Sequence, residues 1–195
     1  MQHARLKTTT TSLALVLLAL LAGCGDSALA GPSSSPVPTW TCTPDASGSL
    51  CTQEKAAAQA EEAAAYAEAE HVYREFTKER NRLAMAGGSA TPTAEMARLA
   101  TGNYLDTVAD FLATGHEAGR RATAPLEIIN VEPRTYVDGR VTMLSCEDGS
   151  RIQIIDSSGS VVGTGAQGSV EIAVEHFPEG WKLVDGSDSE ESVCD

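Results

Sequence analysis

Cysteine is the residue type in this chain whose positions point most directly to chemistry. Cys24 directly follows two small residues, which close an apolar run from Leu13 to Leu21. Arg5 and Lys7 come before the run. A basic segment, an apolar segment and a small-residue cleavage site, in this order, are typical of an export signal. The run is shorter than the roughly 20 residues that span a bilayer, so we predict that residues 1–23 are a signal peptide rather than a membrane helix.

The four residues Leu21-Ala22-Gly23-Cys24 resemble the lipobox of bacterial lipoproteins. This resemblance implies that the thiol of Cys24 receives a diacylglycerol, that the signal is cut before it, and that Cys24 becomes the new N-terminus. The two acyl chains of one diacylglycerol are enough for stable anchoring. We therefore expect a lipid-anchored protein on the extracytoplasmic face of the cell membrane.

The remaining cysteines, Cys42, Cys51, Cys146 and Cys194, suit the same compartment. An even number of cysteines in an exported chain predicts two disulfides. Three pairings are possible, and we favour Cys42 with Cys51, in a small local loop, and Cys146 with Cys194, which would attach the C-terminal tail to the body. The chain has no Cys-x-x-Cys motif and its cysteines are not grouped with histidines, so we expect no metal site.

Two other motifs suggest chemistry but lack its structural context. Residues 163–168 fit Gly-x-Gly-x-x-Gly, yet a dinucleotide site needs a helix after the motif, and here a strand pattern follows from Ser169 to His176. His116-Glu117 begins like a zinc-protease helix, but the second histidine is missing. We expect no cofactor and a flexible hairpin connection at residues 163–168.

The charge of the chain excludes some partners. The formal net charge is −13 at pH 7, and removal of residues 1–23 makes it more negative because that segment holds Arg5 and Lys7 but no acidic residue. Such a chain repels the phosphates of nucleic acid and adheres poorly to anionic lipid. Residues 25–39 are rich in serine and proline, which predicts a flexible tether; residues 24–51 thus comprise the lipidated cysteine, the tether and the small cysteine loop.

Helices are predicted in the first part of the remaining chain. A helix from Thr52 to about Ala86 has Thr52 as its N-cap and ends at Gly87-Gly88. Pro92 suits the first position of a short helix through Leu99, and Asn103 is a candidate cap for a third helix through about His116. The apolar stripe of the long helix comprises Tyr66, Ala69, Tyr73, Phe76 and Leu83; that of the third comprises Leu105, Val108, Phe111 and Leu112.

Hairpin-linked strands are predicted after Gly119. Strand patterns from Leu126 to Val137 and from Val141 to Cys146 flank an Asp138-Gly139 turn, and we expect Asp148-Gly149 to turn into a strand at residues 152–155. Further strands follow at residues 169–176 and 181–184, and the tail from Ser187 is expected to be irregular. Helices followed by a run of strands predict an α+β fold, with helices on one face of an antiparallel sheet.

Residues 52–195 resemble the NTF2-like, cystatin-like cone fold, with a long helix, two shorter ones and a curved four-stranded meander. More narrowly, they are similar to exported lipoproteins of actinobacteria and their phages. The matching motifs are Cys146-Glu147-Asp148-Gly149-Ser150, Gly180-Trp181 and Cys194. The resemblance implies a cup between helices and sheet. We expect its lining to include Tyr66, Tyr73, Phe76, Tyr104, Phe111, Met143, His176 and Trp181.

Some NTF2-like relatives are isomerases or dehydratases that abstract a proton with an Asp or His in the cup. Asp106, Asp110 and His116, with Tyr66 or Tyr104, are candidates for such a base and its hydrogen-bond donor. The two aspartates equally suit a solvated helix face, and we expect His176 to be half-buried with its hydrogen bonds satisfied. Packing roles are favoured for all these residues, so we expect no catalysis.

The sequence therefore predicts a membrane-anchored, non-catalytic NTF2-like domain that binds an envelope protein, a peptide or a small apolar ligand. The resemblance to phage lipoproteins implies a more specific version, in which the protein excludes superinfecting phage. One alternative is an isomerase or dehydratase that uses the cup. Another is a self-associating structural protein of the envelope, and the oligomeric state stays open.

Overall fold

The computed structural model describes residues 40–43, 48 and 50–194. The predicted signal peptide, Cys24 and the tether at residues 25–39 lie outside the described residues. None of the helices in the described part is long and apolar enough to cross a membrane. Residues 40–195 form a compact unit with a hydrophobic core of its own, which is what a domain needs to fold independently.

Helix α1 runs from Gln53 to Ala86, as predicted. The hydroxyl of Thr52 caps it by accepting a hydrogen bond from the backbone N–H of Lys55 at 3.2 Å. Gly87 ends it in the left-handed conformation, with φ of 101°, which glycine adopts without steric cost. The predicted stripe is the buried one, apart from Tyr66, which is partly buried against the core.

The two shorter helices begin within two residues of the positions predicted from the sequence. Helix α2 spans Ala94–Leu99 and α3 spans Gly102–Glu117. Thr93 rather than Pro92 fixes the start of α2, because its hydroxyl accepts from the backbone N–H of Met96 at 3.2 Å. Thr101 rather than Asn103 precedes α3, and it contributes no side-chain cap.

The strands after the helices belong to two antiparallel sheets. In chain order they are β1 Arg121–Ala122, β2 Glu127–Val137, β3 Arg140–Asp148, β4 Gln153–Ile155, β5 Val161–Thr164, β6 Gln167–Phe177 and β7 Gly180–Asp188. The larger sheet has the order β2-β3-β6-β7 and the smaller one β1-β4-β5. The predicted α+β class, with helices and antiparallel sheets, is confirmed.

The expectation of one continuous meander is wrong at Gly149. Strand β3 pairs with β6, and β4 instead pairs with β1 and β5 in the smaller sheet. The backbone N–H of Gly149 donates to the carbonyl of Ala166 at 2.9 Å, so the chain leaves the larger sheet here and returns 17 residues later. A Cβ on Gly165 would lie 2.3 Å from the carbonyl oxygen of Gly149, and this close crossing requires glycine. Residues 163–168, expected to be flexible, hold the end of β5 and the start of β6.

The core lies between α1–α3 and one face of the larger sheet, and the opposite face of β3 is also covered. Leu144 and Cys146 are buried on that opposite face. The chain after β7 is attached there, since Cys194 pairs with Cys146 and the N–H of Val193 donates to Ser169 Oγ at 3.0 Å. β7 extends to Asp188, beyond the predicted start of the irregular tail. The two cysteine pairs that we favour are at bonding distance: Cys42–Cys51 at 2.06 Å and Cys146–Cys194 at 2.15 Å.

Candidate functional site

The residues predicted to line a cup divide into three groups. Tyr73, Phe76 and Met143 are fully buried core residues. Tyr104 and Phe111 line cavities. The remaining three lie at the edge of the core, namely Tyr66, His176 and Trp181.

Two expectations about burial are wrong. Phe111 was expected to point inward, but its side chain is 59% exposed, because α3 presents to the core only the face that carries Tyr104, Val108 and Leu112. His176 is exposed rather than half-buried. It pairs with Trp181 one position before the Phe177–Gly180 pair that borders the β6–β7 turn, and the two rings pack edge to face at 5.1 Å between centroids.

The candidate proton-transfer residues of α3 lie outside any cup. Asp106, Asp110 and His116 are all exposed on the solvent side of the helix. No group of histidine, cysteine, aspartate and glutamate side chains within the described ranges is arranged to hold a metal ion.

A cluster of polar side chains instead lies between α1 and β3. Glu147 is its centre: the hydroxyl of Tyr73 donates to Glu147 Oε1 at 2.6 Å, and Arg80 Nη2 lies 3.3 Å from the same oxygen. The Tyr73 hydroxyl also lies 3.1 Å from Ser145 Oγ. The side chains of Arg80 and Glu147 are only 17% and 14% exposed. Tyr104 lines a small cavity together with Arg80 and Glu147. We call Tyr73, Arg80, Tyr104, Ser145 and Glu147 the polar end of the cleft described below, which Arg80 and Glu147 border directly.

Electrostatics hold both tyrosines of the polar end in the neutral form. Burial, and then the negative charge of Glu147, raise the pKa of Tyr73 well above its usual value. Burial raises the pKa of Tyr104 to about 12, although the charge of Arg80 opposes this. Burial is the largest single influence on the pKa of Arg80 and would lower it, but the charge of Glu147, the two tyrosines and the hydrogen bond to Glu147 together outweigh burial, so that the net shift is upward. The cluster is thus the ion pair of Glu147 and Arg80 flanked by two phenols.

A cleft extends from the polar end along α3. A cavity of about 420 Å³ is bounded by Arg80 and Glu147 at one side and by Phe111 and Ile154 at the other. A second cavity of about 270 Å³ continues from there to Arg120 and Arg121. The two cavities share four lining residues, which are Ala84, Phe111, Ala122 and Ile154. We call these two cavities together the cleft.

The walls of the cleft are set by the smaller sheet and by α1. Ala122 of β1 pairs with Ile154 of β4, which brings apolar side chains opposite α3. Asn81 of α1 fixes the start of β2, since its amide donates to the carbonyl of Leu126 at 2.8 Å and accepts from the Leu126 N–H at 3.0 Å. The excursion of the chain after Gly149 therefore builds one wall of the cleft.

The far side of the cleft differs from the polar end in its charges. Arg120 and Arg121 connect α3 to β1 and are exposed. Neither side chain forms an ion pair or hydrogen bond with any residue that the structure describes. We call this pair the arginine end. Chemically, the cleft offers an apolar surface for a ligand, with a satisfied ion pair at one end and, at the other, two cations that no described residue pairs with.

Sequence reasoning did not single out Arg80, Arg120 or Arg121, and it included Glu147 only as part of a motif. Arg80 is at helical spacing from Phe76 and Leu83 on the buried face of α1, but this spacing does not indicate that it meets a strand 67 residues later. The adjacent arginines between a helix and a strand are a visible signal, because they are the one basic dipeptide of the chain.

Neither a protein-family model nor a curated protein sequence matches this chain. Among solved structures, the chain is similar to the intermembrane space region of the chloroplast protein ARC6. The identity is 16% and the TM-score is 0.46, and the match covers 62% of this chain and 92% of that one. A likeness this distant does not establish a shared fold or activity.

Proposed function

We propose that the protein is a lipid-anchored, extracytoplasmic binding protein whose NTF2-like domain, residues 52–195, holds a small apolar ligand in the cleft. The observation that carries the proposal is the position of Phe111: a large aromatic side chain that is 59% exposed yet lines both cavities of the cleft. An exposed aromatic residue within an apolar concave surface is typical of a binding site.

The size and lining of the cleft favour a small ligand over a folded partner. Its larger cavity, of about 420 Å³, is in the range of small-molecule sites, which run from about 300 to 1,000 Å³, and the adjoining cavity adds about 270 Å³. Apolar side chains make up most of the wall, with Leu126, Ile152 and Ile154 opposite Phe111. Burial of an apolar ligand there removes apolar surface from water, which is the main favourable term in such binding.

The proposed anchor rests on the sequence. The basic residues, the apolar run and Leu21-Ala22-Gly23-Cys24 favour acylation of Cys24. In the acidic mature chain, the acyl chains would attach the protein to the membrane while its charge keeps the domain in water. We expect Cys24→Ala to lack the diacylglycerol in an intact-mass measurement. If this variant kept the acylated mass of the wild type, the anchor would be wrong.

Ligand binding can be tested with residues 40–195 and the neutral apolar dye Nile red. We expect the fluorescence of the dye to rise on binding, and Phe111→Ser to weaken binding about tenfold through lost apolar contact. Ile129→Ser is the matched control, because Ile129 is 54% exposed but lies outside the cleft. Equal binding by wild type and Phe111→Ser, or equal weakening by both variants, would contradict the proposed site.

A proton-transfer enzyme is a second candidate, favoured by one observation. Glu147 is a largely buried carboxylate with a tyrosine hydroxyl 2.6 Å away, and an acid–base residue beside a hydrogen-bond donor is what isomerases and dehydratases need. However, Arg80 and Tyr73 both occupy Oε1 of this carboxylate, which favours a structural ion pair. Incubation of a captured ligand with the protein in D₂O separates the two functions: deuterium incorporation that Glu147→Gln abolishes would establish an enzyme.

A further inference from the structure

The arginine end of the cleft carries two cations whose side chains have no polar partner among the described residues. Helix α3 ends at Glu117, Gly119 turns the chain with φ of 61°, and β1 begins at Arg121. This turn places Arg120 and Arg121 together at the cavity that contains Phe111. Glu117 lies three residues before Arg120 but forms no ion pair with it.

Elsewhere the described arginines are neutralised by nearby carboxylates. Even exposed ones are paired, for example Arg98 with Glu95 at 2.5 Å and Arg82 with Glu79 at 2.7 Å. The whole chain has a formal charge of −13, so acidic side chains are abundant. Two adjacent guanidiniums without a carboxylate are therefore an exception in this protein. Guanidinium groups bind carboxylate and phosphate oxygens with charge-assisted, often paired hydrogen bonds.

The surface next to these cations is apolar. Val162, 47% exposed, lies with Phe111, Leu112 and Ile154 in the cavity that Arg120 and Arg121 border. This cavity leads into the larger one through the shared residues of the cleft. A ligand that reaches both features needs an anionic group and an apolar body extending to one side of it.

We propose that the ligand of the cleft is a single-chain amphiphile with an anionic head, of the fatty-acid type. Its carboxylate binds Arg120 and Arg121, and its chain lies against Phe111 and Val162 toward the larger cavity. This inference rests on the proposed binding function, and it adds the chemical class of the ligand. The polar end does not hold the head, because Glu147 already neutralises Arg80 there.

The test uses residues 40–195 and three probes with the same chain: decanoate, decanol and decyltrimethylammonium, each below its micelle concentration, in calorimetric titrations. General electrostatics in this acidic protein favour the cationic probe. We expect the reverse order, with decanoate binding about tenfold more tightly than the cationic probe. We expect Arg120→Gln/Arg121→Gln to weaken decanoate about tenfold and to leave decanol unchanged.

The matched control is Arg98→Gln/Arg140→Gln, which removes the same charge from exposed ion pairs outside the cleft. Equal loss of decanoate binding in both double variants would overturn the inference, since bulk charge would then be the cause. Equal binding of decanoate and decanol, unaffected by Arg120→Gln/Arg121→Gln, would overturn it while the proposed binding function survives. Failure of all three probes to bind would overturn both.

Discussion

The two ends of the cleft both carry arginine, but only one end supplies it with a partner. At the polar end, Arg80 is 17% exposed and lies against Glu147, which also accepts a hydrogen bond from Tyr73. At the arginine end, Arg120 and Arg121 are exposed and no described residue pairs with them. A buried charge must be neutralised within the protein for the fold to be stable, whereas an exposed, unpaired charge is free to bind something else. The comparison thus favours a structural role for the polar end and agrees with the binding role that we propose for the arginine end.

The largest expected loss of stability comes from removing the disulfide that joins the C-terminal tail to the strand of the polar end. Cys146 lies between Ser145 and Glu147 on β3, and its disulfide attaches the tail through Cys194. The separation of 48 residues predicts that Cys146→Ser/Cys194→Ser lowers the free energy of unfolding by roughly 4 kcal/mol. Denaturant titration of residues 40–195 measures this loss.

The other disulfide serves as the control for this prediction. Cys42 and Cys51 are separated by nine residues and lie at the start of α1, away from the polar end. We expect Cys42→Ser/Cys51→Ser to lower the free energy of unfolding by roughly 3 kcal/mol or less. If this variant lost more stability than Cys146→Ser/Cys194→Ser, the prediction that the disulfide of β3 contributes more to stability would be wrong.

The next effect in size comes from separating Arg80 from its carboxylate. Glu147→Gln leaves a largely buried guanidinium without a counter-charge, and we expect the free energy of unfolding to fall by about 3 kcal/mol. Glu127→Gln is the matched control, because Glu127 forms an ion pair with Arg151 in which the two side chains are 43% and 69% exposed, respectively. We expect this variant to lower the free energy of unfolding by less than about 1 kcal/mol. Similar losses for the two variants would contradict the structural role of the polar end.

Alkaline pH provides a smaller effect at the same end. Tyr104 has a pKa of about 12 in the folded protein and about 10 in the unfolded chain. Below about pH 10 both states keep the proton; between about pH 10 and 12 the unfolded chain releases it first, so stability falls as the pH rises. The full difference corresponds to roughly 3 kcal/mol and is lost only above about pH 12; by about pH 11 roughly half of it is lost.

We expect Tyr104→Phe to reduce the slope of stability against pH over that interval, as measured by denaturant titrations at about pH 8 and about pH 11. Tyr73, whose pKa is also raised, will leave part of the slope in this variant. An unchanged slope would mean that Tyr104 ionises as readily in the folded protein as in the unfolded chain.

The sequence predicted the helices better than the connections between strands, for a physical reason. Thr52 and Gly87 mark the ends of α1 by local hydrogen bonding and backbone conformation, and local signals are visible in a sequence. Asp138-Gly139 and Asp148-Gly149 look like equivalent hairpin turns. The first is a hairpin, with both residues at positive φ; the second is not, because β3 pairs with the distant β6.

The candidate site was less predictable than the fold, since it depends on contacts between distant parts of the chain. Helical spacing placed Phe111 with Val108 and Leu112, but only packing decides which edge of an apolar stripe stays exposed. Glu147 meets Tyr73 across 74 residues, and no periodicity marks that contact. Arg120-Arg121 was visible in the sequence, but its lack of carboxylate partners emerges only from the folded arrangement.

The smallest expected effect is the one that most sharply separates the two ends. Because the side chains of Arg120 and Arg121 form no hydrogen bond or ion pair with a described residue, their replacement by glutamine removes no such interaction among the described residues. We expect Arg120→Gln/Arg121→Gln to change the free energy of unfolding by less than about 0.5 kcal/mol, although the same variant should weaken binding of an anionic amphiphile. Denaturant titration without ligand and calorimetry with decanoate measure the two properties on one protein. If the variant loses as much stability as Glu147→Gln, the arginine end is structural and the distinction between the two ends fails. If it keeps its stability but loses binding of decanoate, the role of these two cations is ligand recognition.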